Sequence, residues 1–369
     1  MNTATVVVEG FLEIIDKIHG FLRNPDNIFM IKPKDPFVSK ALIDQYQLRE
    51  GLILKGEING KRRQSPVVSE ILMINDRDPK VYLDIIPFDD LTAVDPDEQL
   101  ILETGCEPYG MRIIDIMCPI GKGQRGLIVA PPRTGKTILM QQIANSIAEN
   151  YPDLNLFVVL IDERPEEVTE MRRTIKGTVL ASSNDQDVDR HVRLAKMTLA
   201  KVKRLVEFGE DVVLLLDSIT RMGRAFNSAT KSSGRTLSGG LDIKGLQFPK
   251  QYFGAARTTE EGGSLTIIAT ALIETGSRMD EIIFQEFKGT GNMEMVLDRS
   301  LANRRIYPAI NVPESGTRKE ERLIGNEKIE KLHRLRRFLD DLPVGQDVQT
   351  LLSAMKKHDT NASFIEQLP

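Results

Sequence analysis

Four runs in the second part of the chain, "GLIVA", "LNLFVVLI", "DVVLLLD" and "SLTIIATAL", are apolar at nearly every position. A strand with one wet face alternates, whereas a strand that is apolar throughout is covered on both sides. From Leu127 onward, segments with helical spacing separate these runs, which predicts an α/β domain: a mainly parallel sheet with helices on both faces. The clearest helix, "DVDRHVRLAKMTLAKVKRLVEFGE", aligns Val188, Val192, Ala195, Leu199, Val202 and Val206 on one stripe and ends at Gly209. Its Lys/Arg face reads as solvated surface. The tail reads as two closing helices around Pro343.

An open parallel sheet binds ligands beyond the carboxyl ends of its strands, so the residues that follow these runs carry the first functional expectations. "VAPPRTGKTILMQQI" follows one of them. A phosphate-binding loop must converge backbone N–H groups at a helix N-terminus and aim a lysine at the outer phosphates. Gly135, Lys136 and Thr137 stand where a strand gives way to a helix, which is the required context. Ala130 replaces the usual first glycine, which a turn tolerates if its φ is negative. Pro131 and Pro132 stiffen the loop, and a cradle built from Arg133 and Thr134 onward misses none of their N–H groups.

Two further strand ends carry acids. Asp217 can hold a Mg²⁺ hydration shell opposite the Thr137 hydroxyl. Asp162 and Glu163 end "LFVVLIDE". The longer Glu163 is expected to orient or deprotonate an attacking water, and Asp162 to cap the helix beginning at Pro165. The expected ligands are therefore ATP and Mg²⁺. Phosphoryl transfer needs more positive charge than one lysine supplies, and Arg299, Arg304, Arg305 and Arg318 are candidates. Arg318, in the polar turn "SGTRKEE", reads either as an arginine finger or as a solvated surface charge.

The first 80 residues have a different texture. Short alternating segments, "TVVVEGFLEII", "GFLR", "NIFMI", "GLILKGEI" and "PVVSEILMIN", are separated by turn-rich stretches, which predicts a small closed barrel of OB or cold-shock type. The expected division is a barrel over 1–80, a connector over 81–110 rich in Asp and Pro, and a motor over 111–369. The 369-residue length suits two domains. Net charge is −4 in total, split as −7 over residues 1–110 and +3 over the remainder, so a polyanion would be gripped by local basic loops and not by a general field. Two cysteines and four scattered histidines match no metal spacing or disulfide framework. The apolar runs are too short to cross a bilayer and no leader pattern opens the chain, so a cytoplasmic protein without membrane contact is expected.

The blocks "GKGQRGLIVAPPRTGKT", "LIDERPEEVTEM", "LLLDSITR", "FGAARTTEEGGSLTIIATALIETGS", "EFKGTGNMEM" and "SGTRKEE" resemble the bacterial transcription termination factor Rho family, ring-shaped RNA translocases with a RecA-like motor. The resemblance runs over roughly residues 6 to 352, and the family shares the alanine at the Ala130 position. It implies an ATP hydrolase acting as a 5′-to-3′ RNA helicase, assembled as a homohexamer, that releases transcript from RNA polymerase.

The resemblance also implies roles. Lys136 and Thr137 would meet phosphate and Mg²⁺, Arg133 a second phosphate, and Tyr307 the adenine. Glu163 would be the catalytic carboxylate and Asp217 the metal-shell acid. Arg221 would belong to the same site, with Arg318 and Arg305 reaching it from a neighbouring subunit. "SSGRTLSGGLD", with Arg235, Thr236 and Ser238, and "TGSRMD", with Arg278, would hold single-stranded RNA in the central hole. Both basic positions are commonly lysine in the family. In the barrel, Phe21, Arg23 and Phe37 match positions that stack on or hold bases. His19 stands where an aromatic ring is usual and Met73 where a glutamate commonly reads a base edge. Two other readings remain: a rotary-type ATPase subunit with no nucleic-acid partner, and an RNA-binding scaffold with an inactive motor.

Overall fold

The computed structural model describes residues 6–16, 18–24, 30–59, 66–230, 236–237 and 239–368. The chain divides into two compact units. One is Met1–Thr92 with Arg193–Glu210 and Glu261–Gly263, and the other is Ala93–Val192 with Asp211–Glu260 and Ser264–Pro369.

The first unit holds strands β1 (Val6–Ile15), β2 (His19–Arg23), β3 (Phe37–Val38), β4 (Ile53–Asn59) and β5 (Val67–Ile74), with helices α1 (Lys40–Tyr46) and α2 (Pro79–Tyr82). The five strands close into a barrel in the order β1-β2-β3-β5-β4. Closure follows from the alternation: Leu12, Leu22, Val38, Leu54, Val68, Ile71 and Ile74 point inward and are buried together, joined by Leu52 and Phe208. The segment 193–210 packs closely here. Gly51, at φ +101°, lies so near it that a Cβ would stand 2.4 Å from the carbonyl oxygen of Ala200.

The second unit begins with β6 (Ala93–Val94) and α3 (Tyr109–Met117). There follow β7 (Arg125–Ala130), α4 (Lys136–Asn150), β8 (Asn155–Glu163), α5 (Pro165–Thr174), β9 (Thr178–Ser183), α6 (Val188–Glu207), which from Arg193 onward belongs to the first unit, β10 (Val212–Asp217) and α7 (Ile219–Ala229). Next come β11 (Thr236–Leu237), β12 (Leu241–Asp242), α8 (Gln247–Gly254), β13 (Arg257–Thr259), β14 (Ser264–Leu272), α9 (Arg278–Phe287), β15 (Met293–Val296), α10 (Arg299–Asn303) and β16 (Gly316–Thr317). The chain closes with α11 (Glu321–Ile324), α12 (Asn326–Asp340), α13 (Gln346–Met355) and α14 (Asn361–Glu366).

The sheet runs β16-β15-β7-β14-β10-β8-β9, with β13 and β6 branching from β14. From β15 to β9 every pairing is parallel, whereas β16 runs antiparallel to β15. The four apolar runs are β7, β8, β10 and β14, and each is buried along almost its whole length. Helix α6 carries its buried stripe at Ala195, Leu199, Val202 and Val206, while Val188 on its first turn is exposed. Gly209 follows at φ +86°. Pro343 lies between α12 and α13, with the shorter α14 beyond them.

Gly51 has no room for a side chain and sits in the left-handed region. Gly51→Ala should therefore cost roughly 1–3 kcal/mol, read as a lowered urea midpoint with an unchanged slope. An unaltered midpoint would contradict this packing.

Candidate nucleotide and RNA sites

The loop from Ala130 to Lys136 leaves the carboxyl end of β7 and turns into α4. Two residues make the turn possible: Arg133 at φ +67° at the loop's tip, and Gly135 at φ +86° in the N-cap position. The Thr134 hydroxyl is turned inward and donates to the carbonyl of Pro131 at 2.8 Å, which pins the loop from inside. No side chain caps α4, so its first N–H groups are left for a ligand, as a phosphate cradle requires. Thr137 is the second residue of that helix and is half-buried.

Lys136 reaches across to β10 and donates to both carboxylate oxygens of Asp217. Asp217 also accepts from the Thr270 hydroxyl of β14 at 2.7 Å. Burial pushes the Asp217 carboxyl up, but the Lys136 charge, with hydrogen bonds from Lys136 and Thr270, outweighs it and holds the group below its ordinary value. Glu163 goes the other way. Burial raises it, the Asp217 charge adds to this, and Arg221 and Lys136 pull it only partly back.

Arg221, on the first turn of α7, meets Glu163 Oε1 at 3.1 Å and donates to the carbonyl of Asp162. The second oxygen, Glu163 Oε2, is buried without a hydrogen-bond partner among the described residues. A carboxylate oxygen in that state needs a donor or a cation that the protein does not supply. Together with the uncapped helix and the Lys136–Asp217 pair, it fits a hydrated metal–triphosphate. Among the described residues no group of three or more His, Cys, Asp or Glu side chains could hold a metal ion alone.

Asp162 does not cap α5. The cap position belongs to Arg164, with no side-chain bond, and Asp162 itself turns at φ +57°. Pro165 at the first helical position has no N–H to be capped, and Glu166 and Glu167 supply the negative charge that the first turn favours.

Beside the loop lies a cavity of about 390 Å³, lined by Pro108, Tyr109, Thr134, Gly135, Ile138 and Tyr307 among others. Its mixture of ring faces and aliphatic groups suits a planar base. Tyr307 stands against Gly135, within van der Waals reach of where a Cβ would be.

The structure does not bring Arg305 and Arg318 together. Arg305 is exposed, in the left-handed region at φ +61°, two residues from Tyr307 and so near the chain's own nucleotide loop. Arg318 follows β16, whose Thr317 pairs with Met293, which in turn pairs with Gly126 at the amino end of β7. The nucleotide loop starts beyond Ala130, at the other end of β7. Four residues of strand, about 13 Å at the usual rise, separate the two ends before either loop is counted.

On the RNA side, Arg235 and Ser238 lie outside the described residues, and Thr236 falls in β11, which pairs with β12. Gly239 in the connecting turn packs on the backbone of Arg278 and Met279, so the two proposed loops touch. Helix α7 holds both. Asn227 donates to the carbonyl of Gly240 at 3.2 Å and accepts from the Asp242 N–H at 2.7 Å. Arg224 forms a two-pronged ion pair with buried Asp280, its Nε at 2.7 Å, and Thr275 donates to the same carboxylate. Arg278 is exposed at the start of α9.

On the barrel, the rings of Phe21, Phe37 and His19 form a triad with centroids 5.6–5.7 Å apart. All three are half-buried. Arg23 lies beneath, not among them. It is buried, paired with Glu13 and Asp35 at 2.6 Å each, with its guanidinium carbon 4.6 Å from the Phe21 ring centre. Met73 is exposed on β5. The sequence did not single out Thr270, Arg224, Asn227, Glu13 or Asp35, because each reads as an ordinary polar residue of its element.

Removing Lys136 would leave Asp217 charged and buried. Lys136→Met should cost the protein without nucleotide roughly 2–4 kcal/mol, toward the lower end of the range for breaking a buried pair because Lys136 keeps some exposure. Adding Asp217→Asn should restore most of it. A double variant whose loss is the sum of the two single losses would contradict the coupling.

Two family descriptions match. The Rho termination factor RNA-binding domain matches residues 8–80, and the ATP synthase alpha/beta family nucleotide-binding domain matches residues 110–317. Transcription termination factor Rho of Cereibacter sphaeroides is 50% identical over 98% of this chain and 86% of its own. Those of Borreliella burgdorferi (49%, over 100% of this chain and 72% of that one) and Haemophilus influenzae (48%, 97% and 86%) are similarly close. A solved structure described as a prototypical ATPase from the type III secretion system of pathogenic bacteria shares the fold, with a TM-score of 0.63 at 22% identity over 84% of this chain and 92% of that one. With both domains matched and near half of all residues shared along its whole length, the chain belongs to the transcription termination factor Rho family.

Proposed function

We propose that this protein is a ring-forming, ATP-driven RNA translocase that loads on nascent transcript and releases it from RNA polymerase in the cytoplasm. One observation carries the reading. A single helix, α7, touches Glu163 through Arg221 at one end and both candidate RNA loops through Arg224 and Asn227 further along. A rotary-type subunit or an inactive scaffold has no use for that linkage.

In this mechanism Lys136 exchanges Asp217 for the outer phosphates of ATP, with Arg133 and the N–H groups at the start of α4 holding the rest and Tyr307 against the adenine. Thr137 and Asp217 are the residues suited to Mg²⁺, which when bound neutralises charge on the β- and γ-phosphate oxygens. Glu163 orients the attacking water with the oxygen that Arg221 leaves open. Arg318 faces away from this chain's own site, so it serves the site of an adjoining copy. RNA passing Arg235, Thr236, Ser238 and Arg278 is gripped by charge and by backbone. Arginine presents a fork to phosphate at the two basic positions. Phe21 and Phe37 stack on bases at the barrel, with Arg23 fixing the Phe21 ring from below. No helix of the described residues is long and apolar enough to cross a membrane.

ATP hydrolysis measured with and without single-stranded RNA tests the proposal. Stimulation by RNA is expected, and its absence with every homopolymer would count against a translocase. Glu163→Gln should retain nucleotide binding and lose turnover by roughly 10²–10⁴-fold.

A further inference from the structure

The end of β8 departs from the register of the strand beside it. As far as Ile161 the residues of β8 and β9 pair in step, Ile161 opposite Ser182, but Ser183 stands opposite Glu163 and Asp162 is skipped. Asp162 is thus the extra residue of a β-bulge, turned at φ +57°. A bulge bends its strand and re-aims the side chains next to it. A residue other than glycine keeps such a turn only where its surroundings enforce it.

Two hydrogen bonds to the main chain do so, one from each flanking strand. From the β10 side, Arg221 donates to the Asp162 carbonyl. From the β9 side, the Asn184 N–H donates to the Glu163 carbonyl at 2.9 Å. Asn184 lies in a turn that its neighbours close. The Gln186 N–H donates to the Ser183 carbonyl at 3.0 Å, and the Ser183 hydroxyl to Asp185 at 2.5 Å. The Ser182 hydroxyl donates to Gln186 Oε1 at 3.1 Å and lies 2.7 Å from Nδ1 of His191, on the first turn of α6 and within the second unit. Ser182 is 1% exposed and His191 5%. Burial holds the imidazole below the ordinary histidine range, with the charges of Asp162 and Asp187 pulling it partly back, so a neutral ring fills this place.

We propose that His191 and Ser182 are positioning residues for ATP hydrolysis. They lock the turn whose Asn184 N–H fixes the main chain of Glu163 just past the bulge, and so aim the carboxylate that orients the attacking water. The inference rests on the role proposed above for Glu163.

Steady-state ATP hydrolysis by the full chain with single-stranded RNA tests this. Ser182→Ala, which removes one oxygen and little volume, and His191→Ala should each lower kcat by roughly 10–100-fold, as a small misplacement of a catalytic group does. The KM for ATP should change less than about twofold, since the loss falls on the chemical step. His191→Asn, with a polar atom where Nδ1 stands, should recover most of kcat. In a Glu163→Gln background His191→Ala should lower kcat no further, because no carboxylate is left to aim, whereas a merely structural role would cost the same factor in both backgrounds. Ser182→Ala carries the same comparison if His191→Ala melts early. Full kcat in Ser182→Ala and His191→Ala, or equal losses with and without the Glu163 carboxylate, would overturn the positioning role and leave Glu163 in place. Full turnover by Glu163→Gln would instead sink the role of that carboxylate and this inference with it.

Discussion

Asp217 is the charge on which the nucleotide site turns. A carboxylate wholly inside a parallel sheet is tolerable only if its oxygens are met, and here Lys136 from the phosphate loop and Thr270 from the adjacent strand meet them. That requirement ties three neighbouring strands, β7, β10 and β14, at their carboxyl ends. It also sets the poise of Glu163, because the Asp217 charge raises a group that burial has already raised. Lys136, Asp217 and Thr270 are thus tied to one another in the protein without ligand. On the proposed function, nucleotide binding exchanges one charged partner of Lys136 for another and leaves Asp217 free for the Mg²⁺ it would help to hold.

The same strand end starts α7. Ser218 caps it, Arg221 is on its first turn, and Arg224 and Asn227 follow at helical steps of three. On the proposed function the loops respond to chemistry some distance away, which needs a stiff connector with definite partners at each end, and an eleven-residue helix hydrogen-bonded at three places supplies one. Asp280 is the far anchor: it is buried and accepts from Arg224 and from Thr275, so the start of α9 cannot shift without disturbing α7.

Much of this was legible in the sequence. Uniformly apolar runs alternating with helical segments pointed to a covered parallel sheet, and the phosphate-loop pattern together with the acids at strand ends pointed to Lys136, Glu163 and Asp217, which the structure places beside one another. The misses have physical causes. Thr270 sits inside an apolar run, where periodicity gives a lone hydroxyl no signal. Arg224 and Asn227 look like the wet face of a helix, since their partners lie more than ten residues away. Arg23 sits beside Phe21 and reads as a surface grip. Only the barrel's closure, which brings Glu13 and Asp35 to it, reveals an arginine turned inward. The opposed edges of Arg305 and Arg318 depend on β16, a two-residue strand too short for any pattern to announce.

That short strand has a consequence for assembly. Because β16 reverses direction, Arg318 emerges at the end of the sheet opposite the phosphate loop, while Tyr307 and the cavity it lines stay beside that loop. A chain with half of its proposed site on one edge and half on the other is completed through two different surfaces. A two-fold interface uses the same patch on both partners and would have to bring both edges into one patch. Joining one edge to the opposite edge of the next copy is heterologous. Such contacts either close into a ring or run on as a filament, and the rotation between copies decides which. On the proposed function, then, the direction of a two-residue strand is what makes each nucleotide site the joint property of neighbours.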